Sequence, residues 1–315
     1  MNKRGFVFTI VAVLLVSVLI SSTFLLTKSS YNKKSFVANS RVSSMNDFIL
    51  SIESDMERSM LISGYRSIIS LQKQVSYNAT FIPNFSDTFE EIFVNGSVNG
   101  ESVDLMKDAS INDWISRINQ ESRKVNIIFD FKTDTLNVYH DSPWSVVIEL
   151  NGTMNISDVN GLASWYYYKS FKKSIDIISF EDPLYTVKSL DKVTNIISKA
   201  SYNDFVNLTN NDTSVLSDHL NNSRYIASTD APSFLMRFTG NLSPSPFGIE
   251  SLVDLQDFSN QNLDLYDRSV IDYEYFNEDY NGSDKCNITG MPSWFRIDNS
   301  KMSDYNISGF GSDCP

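Results

Sequence analysis

FVFTIVAVLLVSVLISSTFLL, residues 6–26, contains no charged side chain, and the reading of the whole chain turns on it. Its polar members are Thr9, Ser17, Ser21, Ser22 and Thr23, hydroxyls that a buried helix tolerates. A helix over this run reaches roughly 31 Å, about the hydrocarbon thickness of one bilayer. Lys3 and Arg4 precede it, so the positive-inside rule puts the N-terminus in the cytoplasm and the rest outside. The expectation is a single-pass membrane protein, with a cytoplasmic tip and transmembrane helix over 1–27 and lipid contact through 6–26. A cleaved secretory signal is the rival. Signal cores usually span about 7–15 residues, and Thr27-Lys28-Ser29 is a poor cleavage site.

Outward from the run, no proline occurs before Pro83. Val42, Met45, Ile49, Ile52 and Met56 recur at spacings of three and four, which puts them on one stripe of a helix. Residues 28–77 are therefore read as an amphipathic helical stalk continuous with the anchor. The stripe either packs on the chain's own domain or forms a seam for self-association or a partner helix. It lasts about two heptads before Gly64 blurs it, too short for a coiled coil.

Lys3-Arg4-Gly5-Phe6, running straight into an apolar helix, resembles the start of type IV prepilins and pseudopilins. The resemblance covers about the first 25 residues. It implies a peptidase cut between Gly5 and Phe6 on the cytoplasmic side, leaving Phe6 at the head of the helix. The family usually carries Glu at the fifth position after the cut, where this chain has Ile10. Minor, tip-type members can also lack that Glu, so the resemblance implies a minor pilin-like subunit, with a lone anchored protein as the favoured alternative.

Residues 78–315 read as an extracytoplasmic α+β domain with antiparallel sheet and a few helices, with a sub-boundary near 183–200. Residues 78–107 look irregular, with turn signals at Asn95-Gly96 and Asn99-Gly100. Ser110 and Asp113 have capping-box spacing and open a helix through Arg123. Val125–Phe131, Thr135–Tyr139, Trp144–Leu150 and Ser174–Phe180 read as short strands, with Lys132–Asp134 and Asp141–Pro143 as turns. Further on, Leu190–Ala200 and Asp212–Asn222 read as helices, and Ser233–Phe238 and Ser269–Phe276 as strands. In the last, Ile271, Tyr273 and Tyr275 alternate with Asp272 and Glu274.

The net charge of −12 is unevenly placed. Residues 1–78 hold nine Lys/Arg against four Asp/Glu, and the rest hold 17 against 34. An acidic domain repels phosphate backbones, which excludes nucleic acid as a partner class. The two cysteines, Cys286 and Cys314, would pair outside the cell, closing a loop worth roughly 3 kcal/mol. Twelve Asn-x-Ser/Thr glycan acceptors occur, against roughly six expected from composition: Asn78, Asn84, Asn95, Asn151, Asn155, Asn207, Asn211, Asn221, Asn241, Asn281, Asn287 and Asn306. All lie beyond residue 77, as on a surface glycoprotein.

Catalytic signatures are absent: there is no phosphate loop, nucleophile elbow, His-Glu-x-x-His or dinucleotide fingerprint, and no cofactor is implied. Cys286, Cys314, His140 and His219 are too scattered for zinc. His140 beside Asp141 reads as a satisfied turn histidine. The acids Asp272, Glu274, Glu278, Asp279 and Asp284 lack EF-hand spacing and read as a solvated strand face and loop. Trp165-Tyr166-Tyr167-Tyr168 reads as half-buried core. The expected function is a membrane-anchored cell-surface protein of structural or adhesive type. The alternatives are an extracytoplasmic glycan- or protein-binding module and an envelope hydrolase with paired carboxylates.

Overall fold

The computed structural model describes every residue except Met1, Asn2, Asn203, Leu208, Asn210, Asn281, Ser283, Asp313 and Pro315; the side chains of residues 3–10 and 26–35 are likewise outside the description. The chain is α+β, with short antiparallel sheets and several helices. Helix α1 is Lys3–Asn78. Among the described residues no helix is long and apolar enough to cross a membrane. Of the run 6–26, side chains are described for 11–25.

Helix α2, Phe85–Asn95, corrects the irregular reading of 78–107. Phe85, Phe89, Ile92 and Phe93 recur on one face and are buried, with successive rings 5.8 Å apart. Gly96 ends the helix in the left-handed conformation, φ 72°, and its N–H bonds to Ile92 O. The Asn95-Gly96 signal was thus a helix stop. Asn99-Gly100 is the expected turn, with both φ values positive, between β1 (Ser97–Val98) and β2 (Glu101–Ser102).

Helix α3, Ile111–Lys124, begins as the capping box requires. Asp113 N donates to Ser110 Oγ at 3.1 Å, and Ser110 N and Oγ donate back to Asp113 Oδ2. Then come β3 (Ile127–Ser142), β4 (Ser145–Asp158) and β5 (Ser164–Asp176), in that order in one sheet. The expected turn at Lys132–Asp134 does not form. The strand runs through it without a break. Of the expected strand Ser174–Phe180 only residues 174–176 are strand, the end of β5, which starts ten residues earlier and absorbs the aromatic run; residues 177–180 turn out of the sheet. None of those four rings is core: Trp165 and Tyr167 are half-buried, and Tyr166 and Tyr168 are 78% and 61% exposed.

The remaining elements are short: α4 (Pro183–Lys188), α5 (Ser214–Asn221), β6 (Tyr225–Ala227), α6 (Phe234–Phe238), β7 (Ile249–Ser251), α7 (Leu255–Asn260), α8 (Asp272–Tyr275), β8 (Lys285–Ile288), β9 (Arg296–Asp298) and β10 (Gly311–Ser312). β6 pairs β7, and β10-β8-β9 form a three-stranded sheet. Three expectations fail here. Leu190–Ala200 is no helix, since Leu190 and Asp191 take left-handed φ values of 55° and 62°. Ser233–Phe238 and Ser269–Phe276 contain helices α6 and α8, not strands. Cys286 in β8 is bonded to Cys314, with Cα atoms 4.4 Å apart, as the compartment argument led one to expect.

The chain divides into two compact units, and α1, α3 and β3–β5 contribute residues to both. The first comprises 1–55, 117–132 and 153–168. In it Arg41 Nε donates to Asp158 Oδ1 at 2.7 Å, and its Nη2 donates to the carbonyls of Val125 and Asn126 at 2.8 Å. That guanidinium holds the Asp158 carboxyl below its ordinary pKa. The second unit comprises 56–116, 133–152 and 169–315. There α1 lies against the sheet at Gly64, where a Cβ would stand 2.7 Å from Ile175 Cδ1 and closer still to Ile148 Cδ1. The glycine that blurred the stripe is therefore a close-approach point. Of the stripe itself, Met45, Ile49, Ile52 and Met56 are buried by the chain, and Val42 is 39% exposed.

Candidate functional site

Three arrangements in the second unit hold its unusual chemistry. The first is built on Arg237, in the last turn of α6 and fully buried. Its Nη1 donates to Asp182 Oδ2 at 2.6 Å and Asp272 Oδ2 at 2.9 Å, and its Nη2 donates to Ile249 O. Asp182 caps α4 through Leu184 N and accepts from Tyr225 Oη at 2.7 Å. Asp272 accepts from Ser251 Oγ at 2.9 Å. One cation thus ties α4, β6, α6, β7 and α8 together. Burial alone would lower the Arg237 pKa, but Asp182 and Asp272 raise it above its ordinary value. Asp272 is itself raised, since burial outweighs the support of Arg237. All three groups are closed to solvent, so the node is structural.

The second arrangement is a pair of buried acids. Glu250 on β7 is fully buried, and neither carboxyl oxygen closes a hydrogen bond of standard geometry, although the Ser228 and Tyr305 hydroxyls stand close enough to favour its charge slightly. Burial pushes its pKa up to about 7. Glu274 on α8 is also pushed up to about 7 by burial, and its Oε2 lacks a hydrogen bond. Nearby, Lys301 is buried against Asp230 and reaches Asp304 at 3.4 Å. A carboxyl held neutral near pH 7 is what general acid catalysis uses. Neither acid lines any of the depressions described below, so the envelope-hydrolase reading gains no substrate path from them.

The third is a groove of about 640 Å³ between α4, α7 and α8, a volume typical of ligand sites. Phe258, Phe276 and Leu263 give it an apolar floor continuous with a buried cluster that includes Leu184 and Tyr185. Its lip carries Lys188 paired with Glu278 at 2.9 Å, and Arg268 with Tyr266. Arg268 Nη1 donates to Tyr275 O at 2.9 Å, and its guanidinium lies 4.7 Å from the Tyr266 ring centroid. A shallower depression of about 790 Å³ is lined by Asp204, Asp212 and the glycan acceptors Asn207 and Asn306.

Among the other acceptors Asn151 is the correction. It sits in central strand β4, is buried, and its Nδ2 donates to Thr135 Oγ1 at 3.1 Å, so a glycan does not fit there in this fold. Asn281 lies outside the described residues, Asn287 is half-buried in β8, and the remaining acceptors are exposed. Gly5 and Phe6 lie in α1, with side chains outside the description. His140 is satisfied as expected: Leu235 N donates to its Nε2 at 3.3 Å, which leaves Nδ1 to donate to Ser145 O at 2.9 Å. Burial lowers its pKa. His219 is buried beside Phe205 and Tyr305, and burial lowers its pKa to about 4. The expected solvated acidic face is overturned for Asp272 and Glu274, which are both buried, whereas Glu278, Asp279 and Asp284 are exposed as expected. Among the described residues no cluster of His, Cys, Asp and Glu has the arrangement of a metal site. Sequence reasoning missed Arg237 entirely; no local pattern marks a residue whose partners lie 55 and 35 positions away.

No protein-family model, curated protein or solved structure matches the chain.

Proposed function

We propose that the chain is a single-pass membrane-anchored protein of the cell envelope, with its N-terminus cytoplasmic and its folded units displayed outside in a structural or adhesive role. One observation carries the reading: every described side chain from Val11 to Leu25 is exposed, and the apolar ones run all round the helix. A helix apolar on every side is stable where other apolar matter covers it. Covering ten large side chains of this kind is worth at least ~10 kcal/mol. The hydroxyls support the same environment. Ser17, Ser22 and Thr23 each donate to a carbonyl three residues back, at 2.8–2.9 Å, so they need no water. With residues 6–10 and 26 the uncharged run reaches bilayer length, and Lys3 and Arg4 set its orientation.

The start Lys3-Arg4-Gly5-Phe6 supports a minor pilin-like subunit as the form of this role. Protease added to intact cells is expected to remove the region beyond Lys28; protection until lysis overturns the orientation. N-terminal sequencing of the mature protein separates the forms. A start at Phe6 supports the pilin-like subunit, and a start at Met1 or Asn2 leaves a simple anchor. A start near residue 30 removes both. The groove between α4, α7 and α8 favours a second reading, a binding module displayed by the same anchor.

A further inference from the structure

The lip of the groove, not only its floor, is apolar. Leu190 is 62% exposed and Tyr266 48%. Leu190 also holds a left-handed φ of 55°, a conformation that leucine rarely adopts. An apolar side chain held in solvent by a strained backbone is unfavourable on both counts, and a partner that covers it relieves one of them. A sugar ring is poorly served here. Tyr266 carries the Arg268 guanidinium at 4.7 Å and leans on Tyr275 at 5.8 Å, so it offers no free flat platform.

The charges at the lip point to the partner's own charge. Both lip cations are engaged, Lys188 by Glu278 and Arg268 by Tyr275 O. The exposed carboxylate of Asp264, which lines the same groove, has no such partner among the described residues. Residues 79–315 hold 34 acidic against 17 basic side chains, a field that draws cations. We propose that this groove docks a protein segment that inserts one apolar side chain onto Phe258 and Phe276 and sets lysine or arginine against Asp264. The proposal rests on the binding-module reading and not on the anchoring.

Calorimetric titration of the full chain in detergent micelles tests it, with the peptide acetyl-Lys-Leu-Lys-Phe-Lys-amide as probe. Binding is expected for this peptide and at least fivefold weaker binding for its Glu-for-Lys counterpart. Asp264→Lys, an exposed change that leaves the core untouched, is expected to weaken the basic peptide roughly fivefold, the scale of one exposed charge pair reversed. Leu190→Ser is expected to weaken both peptides, with the circular dichroism melt unchanged as the check on folding. Equal binding of the two peptides, binding of neither, or no response to Asp264→Lys overturns the proposal. Binding of a neutral trisaccharide that competes with the peptide also overturns it, while keeping the binding-module reading.

Discussion

Glu250→Gln isolates the consequence of burying an unpartnered acid. In the fold Glu250 keeps its proton up to a pH of about 7, whereas an unfolded glutamate loses it near 4.5. Between those values the folded state binds the extra proton, so stability falls as pH rises. A displacement of that size corresponds to about 3 kcal/mol lost by pH 8 relative to pH 4.5, at 1.36 kcal/mol per pKa unit. Glutamine keeps the shape and cannot ionise. The variant should match the parent near pH 4.5 and exceed it by about 3 kcal/mol at pH 8, which for a unit of this size raises Tm by ~6–12 °C. Glu274 still titrates with the same sign, whereas His219 and His140, whose pKa values burial lowers, add stability as pH rises towards 6.5, so Glu250 is read from the difference between the parent and variant slopes. Thermal melts of the full chain in detergent, followed by near-ultraviolet circular dichroism from pH 5 to 8, read both slopes. Carboxylates that the fold lowers, such as Asp158 and Asp267, lose their contribution as pH falls through and below the normal carboxylate range, outside this window. Parallel slopes for parent and variant would refute the assignment of Glu250 as the buried acid.

Arg237→Met leaves Asp182 and Asp272 buried without their cation and should cost about 3–5 kcal/mol, read as a lowered urea midpoint. Gly64→Ala forces a methyl into Ile148 and Ile175 and should cost about 1–3 kcal/mol, whereas Gly100→Ala, with open space around it, should show only the smaller strain of its positive φ. Non-reducing peptide mapping should recover Cys286 joined to Cys314, and reduction should destabilise by roughly 3 kcal/mol; two thiols alkylated without reductant would contradict the bridge.

What was legible from the residues was local. The Ser110–Asp113 capping box and the Asn99-Gly100 turn each depend on atoms a few positions apart, and both are present. What misled was also local. Over the five residues 271–275 a period of two and a single helical turn look alike, so alternation suggested a strand where α8 forms. Asp272 and Glu274 then looked solvent-facing because ionisable groups usually are. Their burial depends on Arg237 and on the surrounding core, which no window of sequence contains. The same holds for α2: Phe85, Phe89 and Phe93 mark a helix only when Asn95-Gly96 is taken as its cap instead of as a loop. The groove is assembled from residues 187–190, 258 and 263–278, and no single stretch carries its signature.

The contact at Gly64 has a consequence for biosynthesis. Ile175, which closes on it, is made 111 residues later. At roughly 5–20 residues per second that is a delay on the order of 10 s. During it, the part of α1 around Gly64, with the apolar Met56, Met60 and Ile68 that end up buried, leaves the ribosome before Ile148 and Ile175 are made. A nascent chain in this condition presents a long greasy ridge to whatever is nearby. Its yield should therefore depend on a holding chaperone more strongly than on the final stability of the folded units, and slowing translation between residues 78 and 175 should deepen that dependence.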